Sequence, residues 1–293
     1  MEISRRDVLI HVGLFVAACI TTSINGGLAG GATLMTILTC HEFGHYFMAR
    51  RHGVEVSLPY FIPLPPFFGF GTLGAVIRMD KPISDRRALF DVGAAGPIAG
   101  LVVAIPLLVI GLSLSPVGPS PADGSIEGNS ILYALLKYAV HGQWLPNSSV
   151  DVQLHPMAMA AWVGLLITMI NLMPIGQLDG GHIARAALGQ SHEKWSARLH
   201  TALPIVGLLV GSAMFVAAKH HGYSNFAALD YAKAGLIPWL VWTLLLAILR
   251  GRAGEYHPEV GDIPLDRTRR WLAIGMLLVY LLIATPVPFR PVL

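Results

Sequence analysis

The chain has 293 residues, 54% of them hydrophobic and only 13% charged, with a formal net charge of +3. So little charge over that length excludes an ordinary water-soluble domain. Basic residues scattered at segment ends, rather than clustered on one face, exclude a nucleic-acid-binding protein.

In chain order, apolar stretches long enough to cross a hydrocarbon core recur at about 8–24, 28–50, 89–113, 156–174, 199–218, 235–249 and 271–288. The chain therefore reads as an all-α polytopic membrane protein with about seven transmembrane helices. The first stretch follows Ser4-Arg5-Arg6 and lacks a small-x-small cleavage site, so it is expected to stay as a span rather than leave as a signal peptide. Trp239 and Trp242 can anchor the short sixth span at an interface. With the N-terminus in the cytoplasm, sixteen of the 20 Lys and Arg residues fall on the cytoplasmic side, leaving Lys137, Lys219, Lys233 and Arg290 opposite. That asymmetry predicts the orientation and suits a prokaryotic plasma membrane.

Residues 55–80, EVSLPYFIPLPPFFGFGTLGAVIRMD, are apolar but carry four prolines and cannot form a continuous spanning helix. Alternating Leu73, Ala75, Ile77 and Met79 predict a short strand, and the whole stretch a re-entrant β-hairpin covered by protein or a wet cavity. Residues 115–155 form the longest non-membrane stretch, with ILYALLKYAV as an interfacial helix. GPIAG at 96–100 is a small-xxx-small pair, expected to serve close helix packing. Cys19 and Cys40 both sit in apolar segments and suggest no disulfide framework.

The second span contains His41-Glu42-Phe43-Gly44-His45. Ionisable groups at membrane depth are costly and point to function. Four residues apart on a helix, His41 and His45 share a face and can grip one metal ion, with Glu42 beside them within reach of a water there. The alternative is a pair of hydrogen-bonded packing histidines. A catalytic zinc site takes a third protein ligand. The stretch NLMPIGQLDGGH, residues 171–182, offers Asp179 among Pro174, Gly176, Gly180 and Gly181, which are expected to interrupt the helix. On this stretch alone Asp179 can equally be a helix cap, and His182 can take its place as ligand. The second and fourth spans both run inward, so one shared site on the cytoplasmic half is allowed.

GFGTLG at 69–74 fits G-x-G-x-x-G but lacks the βαβ setting of a dinucleotide site. His52, His192, His220 and His221 are expected at interfaces. Glu255, His257 and Glu259 read either as a surface metal group or as ordinary loop polarity.

His41-Glu-Phe-Gly-His45 on an apolar helix, followed by Asn171-Leu-Met-Pro-Ile-Gly-Gln-Leu-Asp179-Gly-Gly, resembles the site-2 protease family of intramembrane zinc metalloproteases. The resemblance covers roughly residues 28–185. It implies that His41, His45 and Asp179 bind one Zn2+ per chain and that Glu42 is the catalytic base. Asn171 would hold substrate or stabilise the oxyanion. The implied reaction is hydrolysis of peptide bonds in or near transmembrane segments of membrane protein substrates within the lipid bilayer. The implied organisation is one membrane-embedded protease domain over 1–293, with a catalytic core at about 28–185 and C-terminal helices at about 199–288. The PDZ or CBS module of many members is not expected.

GTLGAVIRM and DRRALFDVGAAGPIAG are similar to a branch found in bacteria, archaea and plastids. Gly71, Leu73, Gly74, Ala75 and Ile77 are then candidates to hold an unwound substrate segment by strand-edge pairing. Two readings compete. One is a different membrane zinc protease, such as one acting on prenylated proteins, with a downstream glutamate such as Glu255 as third ligand. The other is a non-catalytic transporter or binding relative, although no inverted repeat supports transport. Oligomeric state has no signature in this sequence.

Overall fold

The structure, a computed structural model, describes residues 5–65, 69–79, 81–120, 125–147, 149–253 and 255–291. It is mostly helical, and among the described residues four helices are long and apolar enough to cross a membrane: Arg5–Arg51, Arg86–Ser113, Ser191–His220 and Asn225–Gly251.

Helix α1 (Arg5–Arg51) has 47 residues, about 70 Å if straight, more than twice a hydrocarbon core. It is not straight. Gly27 has φ 67 and ψ 174, outside the helical region, a conformation that glycine reaches without steric cost. Beyond it Gly31 packs on Ser23, where a Cβ would lie 2.7 Å from the Ser23 Cα. In a continuous helix those residues would be about 12 Å apart, so the two halves of α1 fold back on each other.

The proline-rich stretch forms a two-stranded antiparallel hairpin, β1 (Tyr60–Pro63) and β2 (Thr72–Val76), with Phe61 opposite Ala75 and Tyr60 opposite Val76. The hairpin leans on the first half of α1. Thr21 Oγ1 donates to the Gly71 carbonyl at 2.6 Å, His11 Nδ1 donates to Pro59 O at 3.1 Å, and Phe15 meets Phe61 edge-on. Gly71, with φ 82, sits so close to Thr21 that a side chain there would strike its backbone.

Helix α2 (Arg86–Ser113) starts at Asp85, whose carboxylate accepts from the Arg87 and Ala88 amides, satisfying two of the donors a helix start leaves open. After it come two short ladders and a helix. They are β3 (Val117–Pro119) with β5 (Val150–Val152), β4 (Ser125–Glu127) with β6 (Phe289–Pro291), and α3 (Ile131–His141) between Ser130 and left-handed Gly142. The sequence reading expected only one hairpin. These ladders are three residues per strand and carry no usable periodicity, and β4–β6 joins segments more than 150 residues apart.

Helix α4 (Pro156–Asn171) is apolar on every side and mostly buried against α1 and α2, as an all-round apolar helix should be. Its Gly164 admits the Ile37 side chain. The chain then turns and starts α5 (Asp179–Leu188). Arg86 donates from Nε to Ala186 O at 2.7 Å and from Nη2 to Ala187 O at 2.9 Å, putting a cation on the negative end of α5.

Helices α6 (Ser191–His220) and α7 (Asn225–Ala253) pair closely, Gly211 against Ala232. Helix α8 (Arg267–Ile283) begins at the cap Asp266 and ends before Pro286 and Pro288. The helical part of the seventh stretch therefore stops at Ile283, short of the expected 288.

Candidate metal centre

Two elements supply the three donor residues. The second half of α1 presents His41 and His45 one turn apart, and α5 presents Asp179 from its first residue. His41 Nε2 lies 3.1 Å from Asp179 Oδ2, His45 Nε2 lies 3.3 Å from Asp179 Oδ1, and the two Nε2 atoms are 3.2 Å apart. One donor atom from each residue falls within 4.8 Å of the others.

Two imidazole nitrogens and a carboxylate oxygen are a zinc donor set. Zinc bonds of about 2.0–2.1 Å in a tetrahedron put neighbouring donors about 3.3 Å apart, and the three separations match. The residues present therefore fit a Zn2+ ion. His45 Nδ1 donates to the Val92 carbonyl at 2.8 Å. That bond fixes the tautomer and leaves Nε2 bare for a metal.

Asp179 does not cap its helix. The N-cap is Leu178 and no side-chain cap bond forms there, so the carboxylate is free to face the histidines, and the positive end of α5 favours its charge. Gly180 and Gly181 do not break a helix either, since both lie inside α5. Any Cβ on them would collide with the carbonyls of Leu172 and Gly176. Their smallness seats the first turn of α5 on the preceding loop, where Gly176 turns with φ 63.

The donors open into a cleft of about 250 Å³ lined also by Glu42, Asn171, Ala75, Val76, Ile77, Met79 and His182. Glu42 is 7% exposed. Of the five candidate strand residues, Ala75 and Ile77 line this cleft. Gly71 is pressed on α1, Leu73 points outward with 68% exposure, and Gly74 has open space around its Cα. Among the described residues β2 pairs only with β1, so its other edge carries no strand.

The floor of the site is a glycine row on α2. A Cβ on Gly93 would meet the His182 Cβ at 2.9 Å, one on Gly96 would enter the His45 ring, and one on Gly100 would reach His41 Nδ1 at 3.2 Å. The small-xxx-small pair thus serves packing, as expected, but what it packs against is the histidines themselves.

Two residues escaped the sequence reading. His257, expected on a surface loop, is buried and lies 2.7 Å from His182, Nε2 to Nδ1. His192, expected at an interface, is fully buried, with its Nε2 2.9 Å from Ser196 Oγ. The 75 residues between His182 and His257 leave no spacing signal. Glu255 lies in a neighbouring cavity with Gln177, Arg250 and Tyr256, not with the histidine pair. Burial, and then the adjacent His257, push His182 down to about 3, so it is neutral near pH 7.

The profile of peptidase family M50, the site-2 protease family, matches residues 29–214. The chain belongs to that family. Curated relatives include "Probable zinc metalloprotease EGY2, chloroplastic" of Arabidopsis thaliana, 30% identical over 271 residues, covering 91% of this chain and 43% of the relative. Another is "Probable zinc metalloprotease EGY1, chloroplastic" of Oryza sativa subsp. japonica, 33% identical over 162 residues, covering 54% of this chain and 27% of the relative. The chain thus spans less than half the length of these relatives. No solved structure gives a significant match.

Proposed function

We propose that the protein is an intramembrane zinc metalloprotease that hydrolyses peptide bonds in or near transmembrane segments of other membrane proteins. The observation that carries this is the convergence of His41, His45 and Asp179, with Glu42, in one cleft bordered by an unpaired strand edge. Family membership and the zinc metalloprotease names of its relatives support it.

In this reading His41, His45 and Asp179 hold the ion, and Val92 keeps His45 in the binding tautomer. Bound zinc supplies Lewis-acid polarisation of a carbonyl and eases deprotonation of water. Glu42 takes the proton of the attacking water and passes it to the leaving amine. Asn171 donates its amide N–H to the oxyanion. A helical substrate hides its carbonyls in its own hydrogen bonds. The free edge of β2 near Ala75 and Ile77 offers replacement partners for the unwound segment.

We further propose one protease domain over 1–293 that crosses the bilayer seven times, with the two halves of α1, α2, α4, α6, α7 and α8, the hairpin being re-entrant. Sixteen of the 20 Lys and Arg residues then face the cytoplasm with the N-terminus, as in a prokaryotic plasma membrane. Accessibility of single cysteines placed at the loops tests the path.

The activity is tested by zinc content and cleavage of a helical test substrate by the purified protein, wild type against Glu42→Gln. The variant should keep its zinc and lose cleavage by about two to four orders of magnitude. Full proteolysis by Glu42→Gln would remove Glu42 from the mechanism.

A further inference from the structure

His182 stands three residues past Asp179 on α5 and lines the same cleft, yet it does not join the group of donor atoms that could hold a metal. Its Nδ1 lies 2.7 Å from His257 Nε2, and His257 Nδ1 lies 2.9 Å from the Pro258 carbonyl oxygen. A carbonyl only accepts, so His257 Nδ1 carries the proton. In the neutral ring His257 Nε2 is then bare, and it accepts from His182 Nδ1–H. The remaining nitrogen, His182 Nε2, is left with a lone pair. It has no hydrogen-bond partner among the described residues, nor is it one of the sealed, unpartnered polar atoms.

The chain of donors and acceptors runs one way because its far end is a backbone carbonyl. His257 is held there by its own loop. The Tyr256 amide donates to Glu193 Oε1 at 3.1 Å, Tyr256 Oη lies 2.9 Å from His200 Nδ1, and the Gly261 amide donates to Ser84 O at 2.8 Å. A buried, pinned imidazole therefore dictates which nitrogen of a cleft histidine is bare. A bare imidazole nitrogen is an acceptor and demands an N–H. The donor that every peptide brings is its backbone amide.

Resting on the protease reading above, we propose that His182 Nε2 accepts a backbone N–H of the peptide lying in the cleft, making it a substrate-binding residue. His257 is the positioning residue that fixes the tautomer. The Glu42 proton transfer and the zinc donors are separate from this role.

Amide side chains can separate the two nitrogens. In His182→Asn the side-chain N–H replaces Nδ1–H and keeps the bond to His257, but the acceptor is lost. In His182→Gln the amide oxygen reaches the place of Nε2. The test uses the full chain in liposomes with a labelled apolar spanning peptide. Binding is read in the inactive Glu42→Gln background, and KM and kcat are read with Glu42 intact.

His182→Asn should weaken binding and raise KM by roughly three- to tenfold, with kcat, zinc content and thermal unfolding unchanged. His182→Gln should recover most of the affinity. His257→Gln, which still accepts from Nδ1–H, should stay near wild type, and His257→Leu should fall between. Wild-type Kd and KM in His182→Asn would overturn the assignment while leaving the protease reading standing. Cleavage that survives Glu42→Gln overturns that reading instead, and a wild type that neither binds nor cuts the peptide overturns both.

Discussion

Replacing Gly96 by alanine adds one methyl group to α2 and should empty the metal site without touching a ligand. The new Cβ would lie 2.5 Å from His45 Cε1 and nearer still to Nε2, where ordinary contact begins at 3.4 Å. The ring therefore has to retreat by roughly 1 Å, about twice the misplacement that a functional constellation tolerates. It cannot do so freely, because Nδ1 is tied to Val92 O at 2.8 Å. Either that bond breaks or α2 moves off α1, and α1 already leaves no room there: Gly44 is in contact with the Ala95 carbonyl. Zinc affinity should fall at least ten- to hundredfold, the usual cost of disturbing what orients a ligand. Overpacking should remove about 1–3 kcal/mol of stability as well. The assay is competition for zinc against a calibrated chelator, with metal counted by mass spectrometry. Gly100→Ala, whose Cβ would meet His41 Nδ1 at 3.2 Å, should lose less. Gly13→Ala, with nothing within 4 Å, should lose nothing. Wild-type affinity in Gly96→Ala would refute the claim that the α2 glycines are the seat of the histidines.

Three more outcomes follow from single positions. Ile77 lies in the cleft between Val76, paired with Tyr60, and Arg78, whose carbonyl accepts from the Ser57 amide at 3.0 Å, and among the described residues its own amide makes no cross-strand bond. Ile77→Pro should therefore spare the hairpin but cut cleavage about tenfold or more at unchanged zinc content, as measured by gel assay on the helical substrate. Lys137 is fully buried, 3.5 Å from Glu127 Oε1 and 3.9 Å from Asp151 Oδ1. Lys137→Met strands two carboxylates and should cost about 3–5 kcal/mol in unfolding experiments in detergent. Arg269 clamps Asp91 with two bonds of 2.8 and 2.6 Å, tying α8 to α2, while His52, in the turn just after α1, reaches the same carboxylate at 2.9 Å. Arg269→Ala should cost roughly 1–2 kcal/mol, because the groups are partly exposed and His52 remains. The loss should shrink in high salt.

How much of this was legible from the residues depends on the range of the signal. The long apolar helices were readable because each announces itself within its own length, whereas α5 was not, because Gly180 and Gly181 read as helix breakers. Even the double nature of α1 shows as two apolar runs meeting at Gly26-Gly27. The pairing of His41 with His45 was readable because four residues on a helix is a geometric statement. Asp179 was reachable only by pairing its motif with theirs, since a carboxylate before two glycines reads equally well as a cap. What stayed hidden were the contacts between distant segments that carry no paired motif. Examples are the β4–β6 ladder, the Arg269–Asp91 clamp and the His182–His257 pair. GPIAG is the instructive intermediate. Its spacing correctly announced a close approach to another helix, but spacing names no partner. Only the fold shows that α2 is stripped to glycine where His41 and His45 lie. That bears on the chemistry. Ionisable side chains at membrane depth need either water or a polar partner, and α2 has no side chains there to supply one. Their partners are each other, the Val92 carbonyl and a carboxylate delivered by α5. A bare helix surface on one side and a carboxylate on the other leave the His41 and His45 Nε2 atoms facing each other and Asp179, and that convergence is why the group fits a metal ion better than it fits a pair of packing histidines.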